Sequence, residues 1–194
     1  MVGVLFVFAA CAGWAQDAAQ WIERGDSLLA AGKTAKALEC FDKAVKLQGD
    51  ARSYSARANA WYALDDPDRM LQDLDKALKL DSISPEANYQ RALYAMRGAS
   101  WTTAELYADR AVRNSTSEPL RSQALIVRGE ARAELRRNST ALKDLEEGTR
   151  LVPNDVGALR TLARLYDQNK QHDQALRVLE HLCKLEPKEM GHLV

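Results

Sequence analysis

From Ala18 onward the apolar positions recur every three or four residues, and the pattern stops and restarts at short intervals. In the stretch WIERGDSLLAAGKTAKALECFDKAVKL, Trp21, Gly25, Leu28 and Leu29 share one helical face. Gly32 interrupts the run, and Ala37, Leu38, Phe41, Ala44, Val45 and Leu47 mark out a second amphipathic helix. Helix, turn and helix recur five times along the chain. Asp66-Pro67 offers a capping side chain followed by proline at the first helical position, a start signal. Pro153 and Pro187 follow the last apolar residue of their helices and stop them.

The five copies share a register. Successive steps between Gly25, Ala58, Ala92, Gly129 and Ala163 are 33, 34, 37 and 34, a repeat with one insertion. Arginine precedes the small residue in four copies, as Arg24, Arg57, Arg91 and Arg128, whereas the fifth has Leu162. The Arg24-Gly25-Asp26 tripeptide therefore belongs to the repeat. An adhesion ligand would need it extended at a loop tip, and here Gly25 falls in mid-helix.

The pattern W-x2-L-G-x2-Y, then A-x3-F, then P, with a period of about 34 residues, is that of the tetratricopeptide repeat. The first copy supplies Trp21, Gly25, Ala37 and Phe41, and the last supplies Leu162, Tyr166, Ala175 and Pro187. Copy two is served by Tyr54, Ala58, Trp61, Leu74 and Ala77, copy four by Leu125, Gly129, Ala141, Leu145 and Pro153, and copy three only by Ala92, Ala104 and Ala111. The chain thus resembles the tetratricopeptide repeat (TPR) family over residues 18–188, in copies at about 18–50, 51–84, 85–121, 122–155 and 156–189. The resemblance implies an all-α fold, a right-handed α-solenoid of helix-turn-helix repeats. The small residues Gly25, Ala58, Ala92, Gly129 and Ala163 would let the second helix of each copy approach the first.

That family holds a segment or helix of a partner protein in the concave groove lined by its first helices. Helical geometry puts Asn59, Tyr62, Tyr89, Met96 and Arg97 on this face, followed by Glu130, Glu134, Arg160, Arg164 and Asp167. Tyr62, Tyr89 and Arg97 are candidates for a central anchor, because aromatic and arginine side chains dominate binding hot spots. The family's clamp for a C-terminal carboxylate is missing: its slots carry Ile22, Asp26, Ala56, Glu86 and Gln90. The expected role is a non-enzymatic adaptor for a protein partner. The alternative is an assembly component acting through its C-terminal end, by self-association or in a larger complex, since the outer faces of Leu179, Leu182 and Leu185 should be left partly bare.

Copies two and four combine the arginine at position i with an aspartate at i+16, Arg57 with Asp73 and Arg128 with Asp144, which predicts a salt bridge within each repeat. Cys40 and Tyr107 occupy that aspartate slot in copies one and three, leaving Arg24 and Arg91 without an assigned partner. Trp21, Trp61 and Trp101 fill large-residue slots and are expected in the core.

Composition narrows the function classes. The 27 basic and 27 acidic residues cancel, which argues against nucleic acid or an anionic membrane as partner. A repeat-based RNA binder would need a basic groove. No nucleophile elbow, metalloprotease helix, Walker loop or dinucleotide fingerprint occurs, so catalytic residues, cofactors and a metal are not expected. His172, His181, His192 and Cys183 match no zinc spacing. Cys40 and Cys183 read as buried thiols at opposite ends of the array.

The N-terminus differs from the rest. Val2 to Ala10 is uninterrupted apolar sequence, and no charge precedes Asp17. This fits a signal peptide over residues 1–15 with cleavage after Ala15, hence export to the periplasm, envelope or exterior. Phe8-Ala9-Ala10-Cys11 offers lipidation at Cys11 as the alternative, and membrane contact is expected only through such a lipid. Without a signal the chain would stay cytoplasmic. Residues 190–194 form a short tail.

Overall fold

The computed structural model describes residues 18–186. The signal segment 1–15, Cys11, Pro187, His192 and the tail 190–194 lie outside the described residues. Among the described residues there are ten helices and no strand. They pair as α1 (18–30) with α2 (Thr34–Leu47), α3 (Ala51–Ala63) with α4 (Pro67–Leu80), and α5 (Pro85–Arg97) with α6 (Trp101–Asn114). The remaining pairs are α7 (Glu118–Glu134) with α8 (Asn138–Leu151) and α9 (Val156–Gln168) with α10 (His172–Leu185).

The backbone keeps the register of the sequence. The residue seven positions after each small residue, namely Gly32, Asp65, Ala99, Arg136 and Lys170, is left-handed, with φ of 70, 55, 52, 60 and 58°. Only the first of these is the glycine that such a φ favours, so the other four turns are held closed by the helices they join. Asp66 Oδ1 accepts from Arg69 N at 3.1 Å, the cap expected before Pro67. Asp50 and Asp155 cap α3 and α9 in the same way, from Ser53 N at 2.8 Å and Ala158 N at 2.9 Å. The insertion in copy three is absorbed by α7, which has 17 residues against 13 in α3, α5 and α9.

The chain forms two compact units that divide between Gln90 and Arg91, within α5. In the first, Ile22, Ala37, Phe41, Ala44, Ala56 and Ala60 build a core across α1, α2 and α3. A Cβ on Gly25 would meet the Phe41 ring, with Cδ1 at 2.7 Å, so the middle of the Arg24-Gly25-Asp26 tripeptide is a helix contact. In the second unit Gly129 plays the same part: its Cβ would stand 2.8 Å from Leu145 Cγ and 3.2 Å from the Ala141 carbonyl oxygen. Gly129→Leu is therefore expected to lower stability by about 1–3 kcal/mol, read as a shift in the unfolding midpoint. A further close approach lies along the same pair, where a Cβ on Gly148 would stand 2.8 Å from Ile126 Cγ1 and the Gly148 carbonyl accepts from Ser122 Oγ at 2.6 Å.

Both expected salt bridges form, and each arginine also reaches back to the preceding hairpin. Arg57 donates from Nε and Nη2 to Asp73 at 2.7 and 2.8 Å, and from Nη1 to Asp42 at 2.8 Å. Arg128 repeats this atom for atom, with Asp144 at 2.9 and 2.7 Å and Asp109 at 2.8 Å. The hydrogen bond to Asp73 raises the Arg57 guanidinium well above its ordinary range. Arg128 is also raised, its bonds to Asp144 and Asp109 outweighing a burial effect of opposite sign. In copy three the aspartate slot is Tyr107, and Arg91 lies over its ring at 5.6 Å; Arg24 lies over Trp21, also at 5.6 Å. These ring contacts are what the aspartate pattern leaves unexplained in copies one and three.

Some core expectations need correction. Trp21, Trp61 and Trp101 are only half-buried, and Trp61 spends its indole N–H on Asp73 Oδ2 at 3.1 Å. Cys40 is buried but Cys183 is exposed, on the solvent side of α10. Leu182 is 3% exposed, whereas Leu179 and Leu176 are 39% and 58% exposed, so the bare face of α10 runs through Leu176 and Leu179.

Candidate functional site

In the second unit the residues expected on the inward face lie mainly on α7 and α9. Glu130 and Glu134 are four apart on α7, and Arg160 and Arg164 are four apart on α9, so each pair lines one stripe of its helix. The stripes meet: Arg164 Nη2 donates to Glu134 Oε1 at 3.2 Å. Arg160 Nη2 donates to Glu186 Oε2 at 2.6 Å, and Asp167 lies 3.2 Å from His172 Nδ1. Both arginines are thus held by carboxylates while their side chains stay 56% and 42% exposed. Such exposed pairs contribute only about 0–1 kcal/mol of stability.

Glu130 is the exception. It is half-buried, and a Cβ on Gly157 would lie 3.4 Å from both Glu130 Oε1 and Asp155 Oδ1, which places two carboxyl groups at the start of α9. Burial, then the charges of Asp155 and Glu134, push the Glu130 carboxyl up to about 7. A carboxyl raised on folding favours the native state while protonated, so this stabilisation is complete below about pH 4.5 and is lost as pH rises through 7. Glu130→Gln is expected to match the parent near pH 4.5 and to exceed it by about 2 kcal/mol at pH 8, measured by denaturant melts across that range.

Beside the charged stripe lies an apolar floor. Ala163 on α9 and Ala175, Leu179 and Leu182 on α10 line a groove of about 410 Å³, rimmed by Arg160, Arg164, Asp167 and Glu186. Arg160, Arg164 and Asp167, all expected on the inward face, lie on this rim together with Glu186, which in sequence reads only as the residue after the last apolar position of α10.

In the first unit Asn59 and Tyr62 are exposed on α3, Tyr62 at 39%, and Tyr89 is half-buried on α5. Met96 and Arg97 belong to the second unit. Met96 is half-buried and packs against Ala95, Ala104 and Ala131, whereas Arg97 is exposed at the end of α5. Of the described histidines, His172 sits at the edge of this face, beside Asp167, and His181 lies apart from it. His181 Nε2 is 3.0 Å from the Pro153 carbonyl oxygen, and no group of three or more His, Cys, Asp or Glu side chains among the described residues could hold a metal. No described helix is long and apolar enough to cross a membrane.

The fold and its register can be compared with known proteins. Tetratricopeptide repeat models match residues 18–50 and 126–188. The structure is similar to that of PilF from Pseudomonas aeruginosa, with a TM-score of 0.77, 19% identity, and coverage of 89% of this chain and 78% of PilF. It is similar to PilW, a widely conserved type IV pilus biogenesis factor, with a TM-score of 0.73, 17% identity, and coverage of 88% and 78%. YrrB, a TPR protein with an unusual peptide-binding site, aligns with a TM-score of 0.63 and 21% identity over 90% of this chain and 89% of YrrB. At these identities the likeness is one of fold. With two repeat models in place, all-helical hairpins throughout and one turn geometry in all five copies, the chain is a tetratricopeptide repeat protein.

Proposed function

We propose that the protein is a non-catalytic adaptor that holds a segment of a partner protein against the inward face of its first helices, and that it acts in the cell envelope. The observation that carries this reading is the α7/α9 face, where Glu134, Arg160 and Arg164 present exposed charges of both signs on adjoining stripes. The mixed charges select orientation and partner. YrrB's peptide-binding site supports the groove reading, and the pilus-biogenesis role of PilW supports the envelope. Catalysis has no support in the described residues: Glu130 is the one inward carboxyl raised into the neutral range, and its neighbours are two further acids.

The test uses a charge swap. Arg164→Glu alone should weaken capture of the partner from source cells at least tenfold. Glu134→Lys combined with Arg164→Glu restores an internal pair but inverts the presented charges; the adaptor should stay folded and still fail to capture. Full capture by the double variant would overturn the groove reading. Export is tested on the mature protein: an N-terminus at Gln16, or a lipidated Cys11, supports it, and an intact Met1 in the cytosolic fraction overturns it.

A second reading is favoured by Leu176 and Leu179: the face of the α9/α10 hairpin turned away from α7/α8 is itself a docking surface.

A further inference from the structure

In the second and fourth hairpins an arginine of the first helix fills the space between two successive second helices. Arg57 stands between Asp42 of α2 and Asp73 of α4, and Arg128 between Asp109 of α6 and Asp144 of α8. Only 18% and 13% of these two side chains are exposed. One repeat further along, at steps of 34, 34 and 37 residues, Arg128, Asp144 and Asp109 become Leu162, Val178 and Glu146. The cation and one of its acids are replaced by apolar residues, and the other acid remains. A leucine side chain ends where the guanidinium would begin, so the equivalent space between α8 and α10 is left unfilled. Leu162, Val178 and Glu146 all line a groove of about 320 Å³ at this place.

The charge of this groove is reversed relative to its counterparts. Glu146 accepts from the Tyr166 hydroxyl at 2.8 Å, in place of an arginine. Burial, then that bond, push the Tyr166 hydroxyl up to about 12, which keeps it a donor at neutral pH. Arg150 in the last turn of α8 and Arg177 on α10 also line the groove. Both are exposed, and neither forms an ion pair among the described residues. Two arginines against one carboxylate leave a positive excess, to which His181 at the same groove adds when protonated. In the other two hairpins a cation from within meets two acids; here two cations have no acid from within.

The remaining wall is apolar. Leu159 and Leu162 are buried on α9, and Val178 on α10 packs against the same core. A neutral apolar guest would leave both arginines uncompensated, and a small polar anion would gain nothing from the leucines. Cationic guests are opposed by the excess charge. The guest that satisfies every wall carries a carboxylate, which a guanidinium meets with paired donors, on an apolar body. The volume lies at the lower end of ligand pockets, which run to about 300–1,000 Å³, so that body is about the size of one aromatic ring.

We infer that the groove between α8 and α10 is a binding site for a small organic carboxylate with an apolar body, its carboxylate met by Arg150 and Arg177 and its body lying against Leu159, Leu162 and Val178.

The probe is 3-phenylpropionate, titrated into the full chain and followed by the backbone amide resonances. Saturable shifts centred on the groove residues of α8, α9 and α10 are expected, with a Kd of about 1 mM or tighter for so small a ligand. The uncharged 3-phenylpropionamide and the bodiless acetate should each bind at least tenfold more weakly. Arg150→Gln and Arg177→Gln, both at exposed positions that leave the core intact, should each weaken binding at least threefold. Leu162→Arg with Val178→Asp refills the space with the ion pair of hairpins two and four; circular dichroism should show it folded, and binding should be lost. Absence of saturation, equal binding of the amide, or indifference to both arginine variants overturns the inference, as does full binding by the refilled variant. Binding that appears only after residues 187–194 are deleted makes the chain's own segment the occupant and overturns it. A Gly-Gly-Phe peptide with a free C-terminus that binds at least tenfold tighter than 3-phenylpropionate makes a polypeptide end the occupant, and overturns it as well.

Discussion

Replacing Asp144 with asparagine is expected to lower the stability of the second unit by about 3–5 kcal/mol, the largest effect of any single polar substitution in the protein. Its carboxylate, with the side chain 7% exposed, accepts from Arg128 Nε and Nη2 and from Arg132 Nη1 at 2.9, 2.7 and 2.7 Å. An amide offers one acceptor and presents its own donors to two guanidinium groups. Arg128 would keep Asp109, and Arg132 would keep Glu105 at 2.9 Å, so neither becomes wholly unpaired, but both lose their most buried partner. The same change at Asp73 should cost less, because a single arginine, the Trp61 indole and a long, exposed pair with Lys76 at 3.9 Å depend on it. Since isosteric apolar replacement of a buried pair is often neutral, Arg128→Met with Asp144→Leu should recover most of the loss. Thermal melts of the three variants check the ordering; equal melting temperatures for Asp144→Asn and the parent would show that the network contributes nothing.

Gly25→Ala is expected to destabilise the first unit by about 1–3 kcal/mol, even though alanine is the better helix former by about 1 kcal/mol. Steric cost outweighs propensity because the new methyl group meets the Phe41 ring, with Cδ1 at 2.7 Å, and that ring is fully buried. Phe41→Leu in the same chain opens the space and should make the two changes strongly non-additive, with Gly25→Ala nearly neutral in that background. An alanine that stabilises the parent would mean that Phe41 moves aside at little cost.

Comparing the two chemistries shows what could be read before any coordinates. The small-residue slots and the Arg57–Asp73 and Arg128–Asp144 bridges were legible because each depends on spacing within one hairpin, which helical periodicity fixes. The links from Arg57 to Asp42 and from Arg128 to Asp109 cross between hairpins. Their separations of 15 and 19 residues differ because the steps between the copies they join are 33 and 37, which hides their equivalence. The ion pairs of Glu105 with Arg132 and Arg137 were invisible for the same reason. Arg91 eluded the pattern since its partner is a ring, and the left-handed turns since only one of five holds a glycine. Helical geometry put Glu130 and Glu134 on one stripe of α7 and Arg160 and Arg164 on one stripe of α9, and these two stripes meet. Their mutual pairing depends on rotamers, which spacing does not specify, and Glu186 joins through the chain turn after α10.

Site-specific photo-crosslinking in the source cells addresses the adaptor role most directly. A photoreactive residue in place of Arg164, on the charged stripe, and another in place of Lys143, exposed on α8, are compared under identical illumination. A discrete adduct from position 164 with none from position 143 is the expected result. Adducts of equal yield from both, or from position 143 alone, would contradict a partner held against the first helices.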